Sequence, residues 1–471
     1  MNDAAPRLAA LAETLLGAPL PVRIRAWDGS EAGPPSGPVL VVHRRRAVRR
    51  MLWKPGELGL ARAWVAGELT VEGDLFELLD RVAGLLWEKE HDLPPAAPAA
   101  ASGPAGQPAG RTGPLAALGG IARRAKEARP AALPEAARLL RNPPQRAALR
   151  ELVALAGPLP PPAPPAEEAT LRRGGPRHSK GRDRQAVSHH YDVGNDFYER
   201  VLGPSMVYSC AYWTPGGSLE AAQYDKLDLV SRKLALKPGD RLLDVGCGWG
   251  SMAVHAAREY GVRVTGITLS REQAAYALKR VADEGLTERV EIRIQDYRDV
   301  KDGPYDAISS IGMAEHVGAD RYRDYARTLH ALLRPGGRLL NHQIARPPEP
   351  DEEAYRIDEF IDAYVFPDGE LSPLGSTVGE LERAGFEVRD VEALREHYAL
   401  TLRAWVARLE EHWEECVRLT SPGRARVWLL YMAACALGFE HGRLGVNQVL
   451  AVRPSAAGGS GLPLRLRTWG A

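Results

Sequence analysis

The alternation of apolar and polar positions divides the chain into two textures. Near the front, Val22-Arg23-Ile24-Arg25-Ala26-Trp27 alternates and Val39-Leu40-Val41-Val42 is a short apolar run, which predicts strands; Leu75 to Trp87 repeats its apolar residues at helical spacing. A small α/β domain over residues 1–92 follows. From Pro94 to Pro114, and again from Pro158 to Pro165, Pro, Ala and Gly dominate and offer too little apolar surface to offset the entropy of ordering. Residues 93–185 therefore read as a linker that contains a helical period over Arg138 to Leu155. Over residues 186–471, strand and helix signals alternate with short turns, the pattern of a βαβ sheet. Predicted strands are Arg241–Val245, Arg263–Ile267, Val290–Ile294, Tyr305–Ser310, Gly337–His342, Phe386–Val391 and Asn447–Val452. Seven strands with helices between them predict an α/β, doubly wound fold. The helical stretch from Glu396 to Phe439, carrying Trp405, Trp413 and Trp428, predicts a lid at residues 396–440.

Composition narrows the class. Apolar residues make up 45% of the chain, yet no run approaches the roughly 20 residues that span a bilayer. Met1 to Leu20 carries Asp3 and Glu13 and has no basic flank before an apolar stretch, so no signal peptide is expected and the cytoplasm is the expected location. Cys210, Cys247, Cys416 and Cys435 lack paired short spacing, which argues against a disulfide framework or a zinc site. His189 and His190 likewise have no second ligand pair, and no metal is expected. The formal net charge is +1, but Lys and Arg outnumber Asp and Glu in the first 190 residues and the reverse holds afterwards. This excess fits either a solvated arginine-rich surface or attraction to anionic headgroups at the inner face of the membrane. Nucleic acid is not an expected partner, because Arg44-Arg45-Arg46 and Arg49-Arg50 lack interleaved aromatics.

The strongest local signal is Leu242-Leu243-Asp244-Val245-Gly246-Cys247-Gly248-Trp249-Gly250, a strand running into a glycine-rich turn and a helix at Ser251. Gly246, Gly248 and Gly250 let the backbone turn tightly and approach a ligand, while the helix start offers amides to an anion. A nicotinamide-dinucleotide loop would need glycine where Ser251 stands, so that rival fails on spacing. The pattern, with Asp244 ahead of it, resembles motif I of class I S-adenosylmethionine methyltransferases. In that setting Thr268-Leu269-Ser270-Arg271-Glu272-Gln273 supplies hydroxyls and Gln273 towards the ribose. Asp296 and Tyr297 supply a carboxylate for the adenine amino group and a ring to lie against it. Taken alone, each is equally ordinary helix-start or turn chemistry.

Three further segments carry a more specific resemblance, which extends from about Val187 to the C-terminus. They are His189-His190-Tyr191-Asp192-Val193-Gly194-Asn195-Asp196-Phe197-Tyr198, Tyr208-Ser209-Cys210-Ala211-Tyr212-Trp213 and Gly312-Met313-Ala314-Glu315-His316-Val317-Gly318. In this order they resemble the signature segments of cyclopropane fatty acid synthases. The resemblance implies a class I methyltransferase domain with a helical cover, often behind a small N-terminal domain, acting on unsaturated acyl chains of phospholipids or mycolic acids; Tyr208 and Ser209 then join the cofactor site. An alkene is a poor nucleophile, so the methyl sulfonium must be held in line with it, and attack leaves a carbocation that water would destroy. Aromatic faces steady such a charge and even a weak base removes its proton. The resemblance implies that this base is a bound bicarbonate, held by the Cys210 backbone, Glu315, His342, the Ile344 backbone and Tyr398, and that Cys435 is the active-site cysteine. An anion beside Glu315 requires a shared proton, so a raised carboxyl pKa is expected. Cys435 in its apolar helix is equally suited to core filling, and Cys247 and Cys416 read as structural.

Two positions depart from the family pattern: Ala314 replaces a bulkier apolar residue, and Glu440 stands where bacterial cyclopropane enzymes carry arginine. Trp27-Asp28-Gly29-Ser30, Pro55 to Ala63 and Phe366-Pro367-Asp368-Gly369-Glu370-Leu371 are more similar to an actinobacterial branch that makes 10-methylene fatty acids. Proton loss from the incoming carbon closes a ring, whereas hydride migration before that loss leaves an exocyclic methylene; both products stay open. A class I methyltransferase acting on oxygen or nitrogen of a small metabolite is the alternative, but it leaves Cys210, His342 and Tyr398 without work. A non-catalytic lipid-binding or cofactor-sensing protein would need a broken constellation, and this one is whole. For the first domain, membrane docking and homodimer formation are both open.

Overall fold

The computed structural model describes residues 3–91, 143–157, 160–168, 177–191, 193–352 and 355–464. The Pro94–Pro114 stretch and the start of the helix expected from Arg138 lie outside the described residues. The chain forms two compact units. One comprises Met1–Glu168, Glu349–Val365 and Ser421–Leu437, the other Ala169–Pro348, Phe366–Thr420 and Gly438–Ala471.

In the first unit, β1 (Arg23–Arg25), β2 (Glu31–Ala32), β3 (Val39–Val42) and β4 (Leu69–Glu72) form a sheet in the order β2-β1-β3-β4. β1 and β3 are parallel and the outer pairs antiparallel. Ile24 and Val42 of the sheet share a core with Leu11, Val48, Ala63 and Leu155 from helices, one of which, Pro143–Ala156, carries the period read from Arg138 onward. The arginine run is divided by this packing. Arg44, Arg45 and Arg46 are exposed, whereas Arg50 is buried, pairs with Glu68 at 2.9 Å and donates to the Ala163 carbonyl at 2.7 Å. The described part of the proline-rich Pro158–Pro165 stretch is therefore held by this unit rather than spanning open solvent. Proline offers no amide donor but leaves its neighbours' carbonyls as acceptors, which an arginine fork can fill. Just beyond, Arg62 grips Glu168 with bonds of 2.7 and 2.6 Å.

In the second unit, β5 (Arg241–Val245), β6 (Arg263–Thr268), β7 (Val290–Ile294), β8 (Tyr305–Ile311), β9 (Leu333–Arg346), β10 (Ser372–Pro373), β11 (Glu387–Ala393) and β12 (Gly445–Val452) form one sheet. The order is β11-β12-β9-β8-β5-β6-β7, with the two-residue β10 on β9. Strands are parallel except β12, which runs antiparallel to both neighbours. Adjacent residues of the apolar runs serve opposite cores: Leu242, Leu340 and Leu450 pack on one face, Leu243, Leu339 and Val449 on the other. Both faces are thus apolar and both take helices, the physical basis of the doubly wound arrangement. The order reverses between β5 and β8, so a crevice opens beyond the carboxyl ends of these strands, at Asp244-Val245 and Ile311.

The expected lid is three helices, Arg395–Glu411, Trp413–Leu419 and Pro422–Glu440. Residues 422–437 of the last belong to the first unit. No helix among the described residues is long and apolar enough to cross a membrane.

Candidate active site

At the end of β5, Gly246, Gly248 and Gly250 hold φ of 78°, 53° and 82°, the left-handed region. Gly250 is also crowded, since a Cβ there would stand 3.1 Å from the Ala277 Cβ. The Gly246 and Cys247 amides both donate to the Ile267 carbonyl, at 3.0 and 2.9 Å, which clamps the turn to β6 just before the Ser251–Tyr260 helix. Every residue assigned from sequence to the cofactor lines one cavity beside this turn, except Gly250, which packs behind it. Asp244 is buried. Its Oδ1 accepts from Ser309 at 2.7 Å, its Oδ2 has no partner among the described residues, and burial pushes its carboxyl up to about 6. Thr268 donates to the Gln273 side-chain oxygen at 2.8 Å, and Ser270 caps the Arg271–Asp283 helix by accepting from the Gln273 amide.

Asp296 differs from the expectation of a free carboxylate. It accepts from Arg298 through the backbone amide at 3.0 Å, Nε at 2.7 Å and Nη2 at 2.6 Å. Burial alone would raise its pKa, but Arg298 outweighs burial and lowers it. Arg298 also reaches Asp183 at 2.9 Å and the His178 carbonyl at 3.2 Å, tying the approach to the Lys180–Tyr191 helix to the rim of the cavity. Arg298 stands directly after Tyr297, and its i+2 spacing from Asp296 was the available signal in the sequence. Lys226 and Met313 also line the cavity. Met313 entered only as a member of the Gly312–Gly318 segment, and Lys226 was not picked out, because a lysine in the amphipathic Leu219–Leu234 helix carries no distinctive pattern.

The five residues assigned to the base site come from separate elements of the second unit. Glu315 sits in the 3-10 turn Ala314–His316 after β8, His342 and Ile344 on β9, Tyr398 on the Arg395–Glu411 helix, and Cys210 in the extended segment ahead of Leu219. The Ile344 amide donates to Glu315 Oε1 at 2.8 Å. Val446 of β12 lies opposite Ile344, and its carbonyl accepts from the Leu394 amide at 2.9 Å. The Leu394 carbonyl in turn accepts from the Tyr398 amide at 3.1 Å and from the Cys210 thiol at 3.6 Å. Thr401 Oγ1 accepts from the Ala211 amide at 3.1 Å and from Trp213 Nε1 at 3.0 Å, fixing the Cys210 segment against the helix of Tyr398. A continuous series of contacts therefore runs from Glu315 through Ile344 to Cys210 and Tyr398. His342 is joined from the other side, where its carbonyl accepts from the Gly312 amide at 2.9 Å.

Glu315 Oε2 and both ring nitrogens of His342 are buried with no partner among the described residues. Burial pushes the Glu315 carboxyl up to about 7 against a small opposing effect of the Ile344 amide. The direction is the one expected from sequence, although burial produces it without an anion. Burial, together with the Lys226 and Lys233 charges, takes His342 well below its ordinary pKa and keeps it neutral. Aromatic rings of the same unit pack on one another: His190 stacks on Phe366 at 3.8 Å, Tyr208 lies 5.3 Å from Trp405, and Tyr398 packs on Phe439 at 4.8 Å. The His189 side chain and Asp192 lie outside the described residues.

Cys435 belongs to the first unit, on the Pro422–Glu440 helix. Burial and Asp358 raise its thiol pKa, and burial does the same for Cys210, which favours the neutral thiol at both. Glu440, the departure from the family pattern, is paired with Arg403 at 2.8 Å.

Residues 178–449 match the family described as mycolic acid cyclopropane synthetase. The chain is 41% identical over 455 residues to a probable fatty acid methyltransferase of Mycobacterium tuberculosis, covering 94% of each chain. It is 39% identical over 285 residues to the cyclopropane-fatty-acyl-phospholipid synthase of Escherichia coli K12, covering 60% of this chain and 72% of that one. Among solved structures, mycolic acid cyclopropane synthase CmaA1 complexed with SAH and CTAB aligns with a TM-score of 0.54 and 34% identity, over 57% of this chain and 97% of that one. A shared fold, a glycine turn with its cofactor cavity intact and matching sequence over most of the chain lead to one conclusion: the protein belongs to the mycolic acid cyclopropane synthetase family of S-adenosylmethionine-dependent methyltransferases.

Proposed function

We propose that this protein adds a one-carbon unit from S-adenosylmethionine to the carbon–carbon double bond of an unsaturated phospholipid acyl chain, giving a 10-methylene or cyclopropane acyl lipid. The observation that carries the reading is the Gly312–Val317 loop. Its Gly312, Met313, His316 and Val317 line the cofactor cavity, while Glu315 between them engages Ile344 and leaves Oε2 buried and unpaired. One short loop thus borders both the cofactor cavity and a buried carboxyl oxygen with no partner among the described residues. Bound cofactor supplies an electrophilic methyl group on sulfur. The chain's own contribution is to hold the alkene against that cavity, exclude water and wall the developing cation with Tyr208, Trp405, Tyr398 and Phe439.

Bicarbonate fits the base site by its donor set. An unpaired buried polar atom costs about 1–3 kcal/mol, and a small, singly protonated oxyanion would satisfy Glu315 Oε2 and one of the two His342 ring nitrogens, which diverge too widely for one ion to take both. Such an ion supplies a weak base. A neutral His342 and a Glu315 that keeps its proton near neutral pH avoid placing like charges beside it.

The lipid is proposed to be reached from the cytoplasmic face of a membrane. Exposed Arg44, Arg45 and Arg46 and the exposed Trp53 lie on or beside the Arg45–Trp53 helix of the first unit, a combination that suits anionic headgroups and the interfacial layer. Salt-sensitive binding to anionic vesicles that persists in a strictly monomeric preparation supports docking; homodimer formation is the competing role for that unit.

The deciding assay incubates the purified protein with S-adenosylmethionine and oleoyl phospholipid and follows the acyl esters by mass spectrometry before and after mild hydrogenation. A one-carbon gain that takes up hydrogen to a methyl branch identifies the methylene, and a gain resistant to mild hydrogenation identifies the ring. Methyl transfer to a polar oxygen or nitrogen acceptor with none to lipid would overturn the proposal.

A further inference from the structure

Lys226 is buried at 2% exposure, lines the cofactor cavity and donates to Ser209 Oγ at 2.9 Å. Among the described residues it forms no ion pair with a carboxylate, and the Ser209 hydroxyl is its hydrogen-bond partner. A buried ammonium is costly unless paired, and a neutral hydroxyl recovers only part of the lost hydration. Across the same cavity Asp244 presents the unpartnered Oδ2. Arg298 of the same lining is paired with Asp183 and Asp296, and Arg321 with Asp324, which leaves Lys226 and Asp244 as a cation and a carboxylate each incompletely matched beside a glycine turn. An amino acid end, with one carboxylate and one ammonium, is the complement of that pair.

We propose that Lys226, with Ser209, is the receptor for the α-carboxylate of the cofactor's amino acid portion, and so the residue that makes the site select a carboxylate-bearing sulfonium over an adenosyl compound without one. The inference rests on the cofactor assignment above and deepens it. Ser209 is the positioning residue: its hydroxyl fixes the direction of the Nζ. Lys226 is buried on the same helix as the core residues Leu227 and Val230, so its long side chain delivers the charge to the cavity rather than to solvent.

The test measures calorimetric affinities of the full-length protein for S-adenosylhomocysteine, which carries the carboxylate, and for its decarboxylated analogue, in the wild type, K226M and S209A. A charge-assisted bond lost from a buried site corresponds to about tenfold to a hundredfold in affinity. The expected result is a wild-type preference of that size for S-adenosylhomocysteine, which collapses in K226M and weakens in S209A while affinity for the decarboxylated analogue stays constant. That constancy reports an intact pocket and separates recognition from a purely structural role. Equal losses for both ligands in K226M would overturn the proposal. If K226M does not fold, the wild type decides, because a protein that binds both ligands alike has no carboxylate receptor. Failure of the wild type to bind S-adenosylhomocysteine at all would instead remove the cofactor reading beneath it.

Discussion

The Ile344 amide donates to Glu315 Oε1 at 2.8 Å and thereby aims the other oxygen of that carboxyl at a place where the described residues offer it nothing. The bond joins a strand in the middle of the sheet to a loop that borders the cofactor cavity. Its consequence is a carboxyl held in one orientation, raised by burial to about 7 and so still partly protonated at neutrality, with one oxygen free of partners among the described residues.

Glu315→Gln preserves size and the bond from Ile344 while removing the titrating group. Turnover on unsaturated lipid is expected to fall by more than about tenfold, in the range of a lost proton-transfer partner, with affinity for S-adenosylhomocysteine near wild type. Initial rates and calorimetric binding check this together. Tyr398→Phe is expected to act in the same way, and unchanged rates in both variants would remove the base-site assignment.

Stability should carry the same signature. Folded, Glu315 keeps its proton up to about 7, whereas its ordinary value is 4.5. Between these values the native state binds more protons than the unfolded one, so stability present below the ordinary value is lost as pH rises through the folded value. Glu315→Gln has no such loss. Its unfolding midpoint should therefore gain on that of the wild type as pH goes from about 5 to about 8. Asp244, raised to about 6 by burial, contributes equally to both proteins and cancels. Parallel midpoints across the range would contradict the buried, proton-holding carboxyl.

Thr401 accepts two bonds from the Cys210 segment and donates to the His397 carbonyl at 2.7 Å. Thr401→Val keeps the shape and strands the Ala211 amide and the Trp213 indole. The expected cost is about 2 kcal/mol or more, from two unsatisfied buried donors. Chemical denaturation measures that cost, and turnover should drop beyond what instability explains, because the backbone of Cys210 loses its anchor.

The last two glycines of the turn are not equivalent. A Cβ at Gly248 meets nothing closer than 3.9 Å, whereas one at Gly250 lies 3.1 Å from Ala277. Both substitutions bear the left-handed backbone penalty of about 1–2 kcal/mol, but only Gly250→Ala must also push the Arg271–Asp283 helix away. Gly250→Ala is expected to lower the thermal midpoint more than Gly248→Ala, and a reversed order in differential scanning fluorimetry would refute the packing role given to Gly250.

Much of the fold was legible because its causes are local. Apolar runs such as Leu242-Leu243 and Leu339-Leu340 divide their side chains between two faces whatever lies elsewhere in the chain, so both burial and the need for helices on each side follow from the strand itself. β9 begins earlier than expected, at Leu333, because Pro335-Gly336-Gly337 reads as a turn. The Glu396–Phe439 stretch read as one lid; it divides into three helices, and its last segment groups with the first unit, a partition that depends on which surfaces meet and leaves no trace in periodicity.

By itself the amino-acid order determined the strands, the glycine turn and the chemical types present at the site, since alternation and backbone freedom are properties of neighbours in the chain. Only the tertiary structure decided that Asp296 is claimed by Arg298, that Lys226 points inward, and that Glu315 and His342 keep buried atoms without a partner among the described residues. The reason is physical: a charge or a proton is priced by the water removed around it and by partners brought from distant elements, and neither quantity exists until the chain has folded.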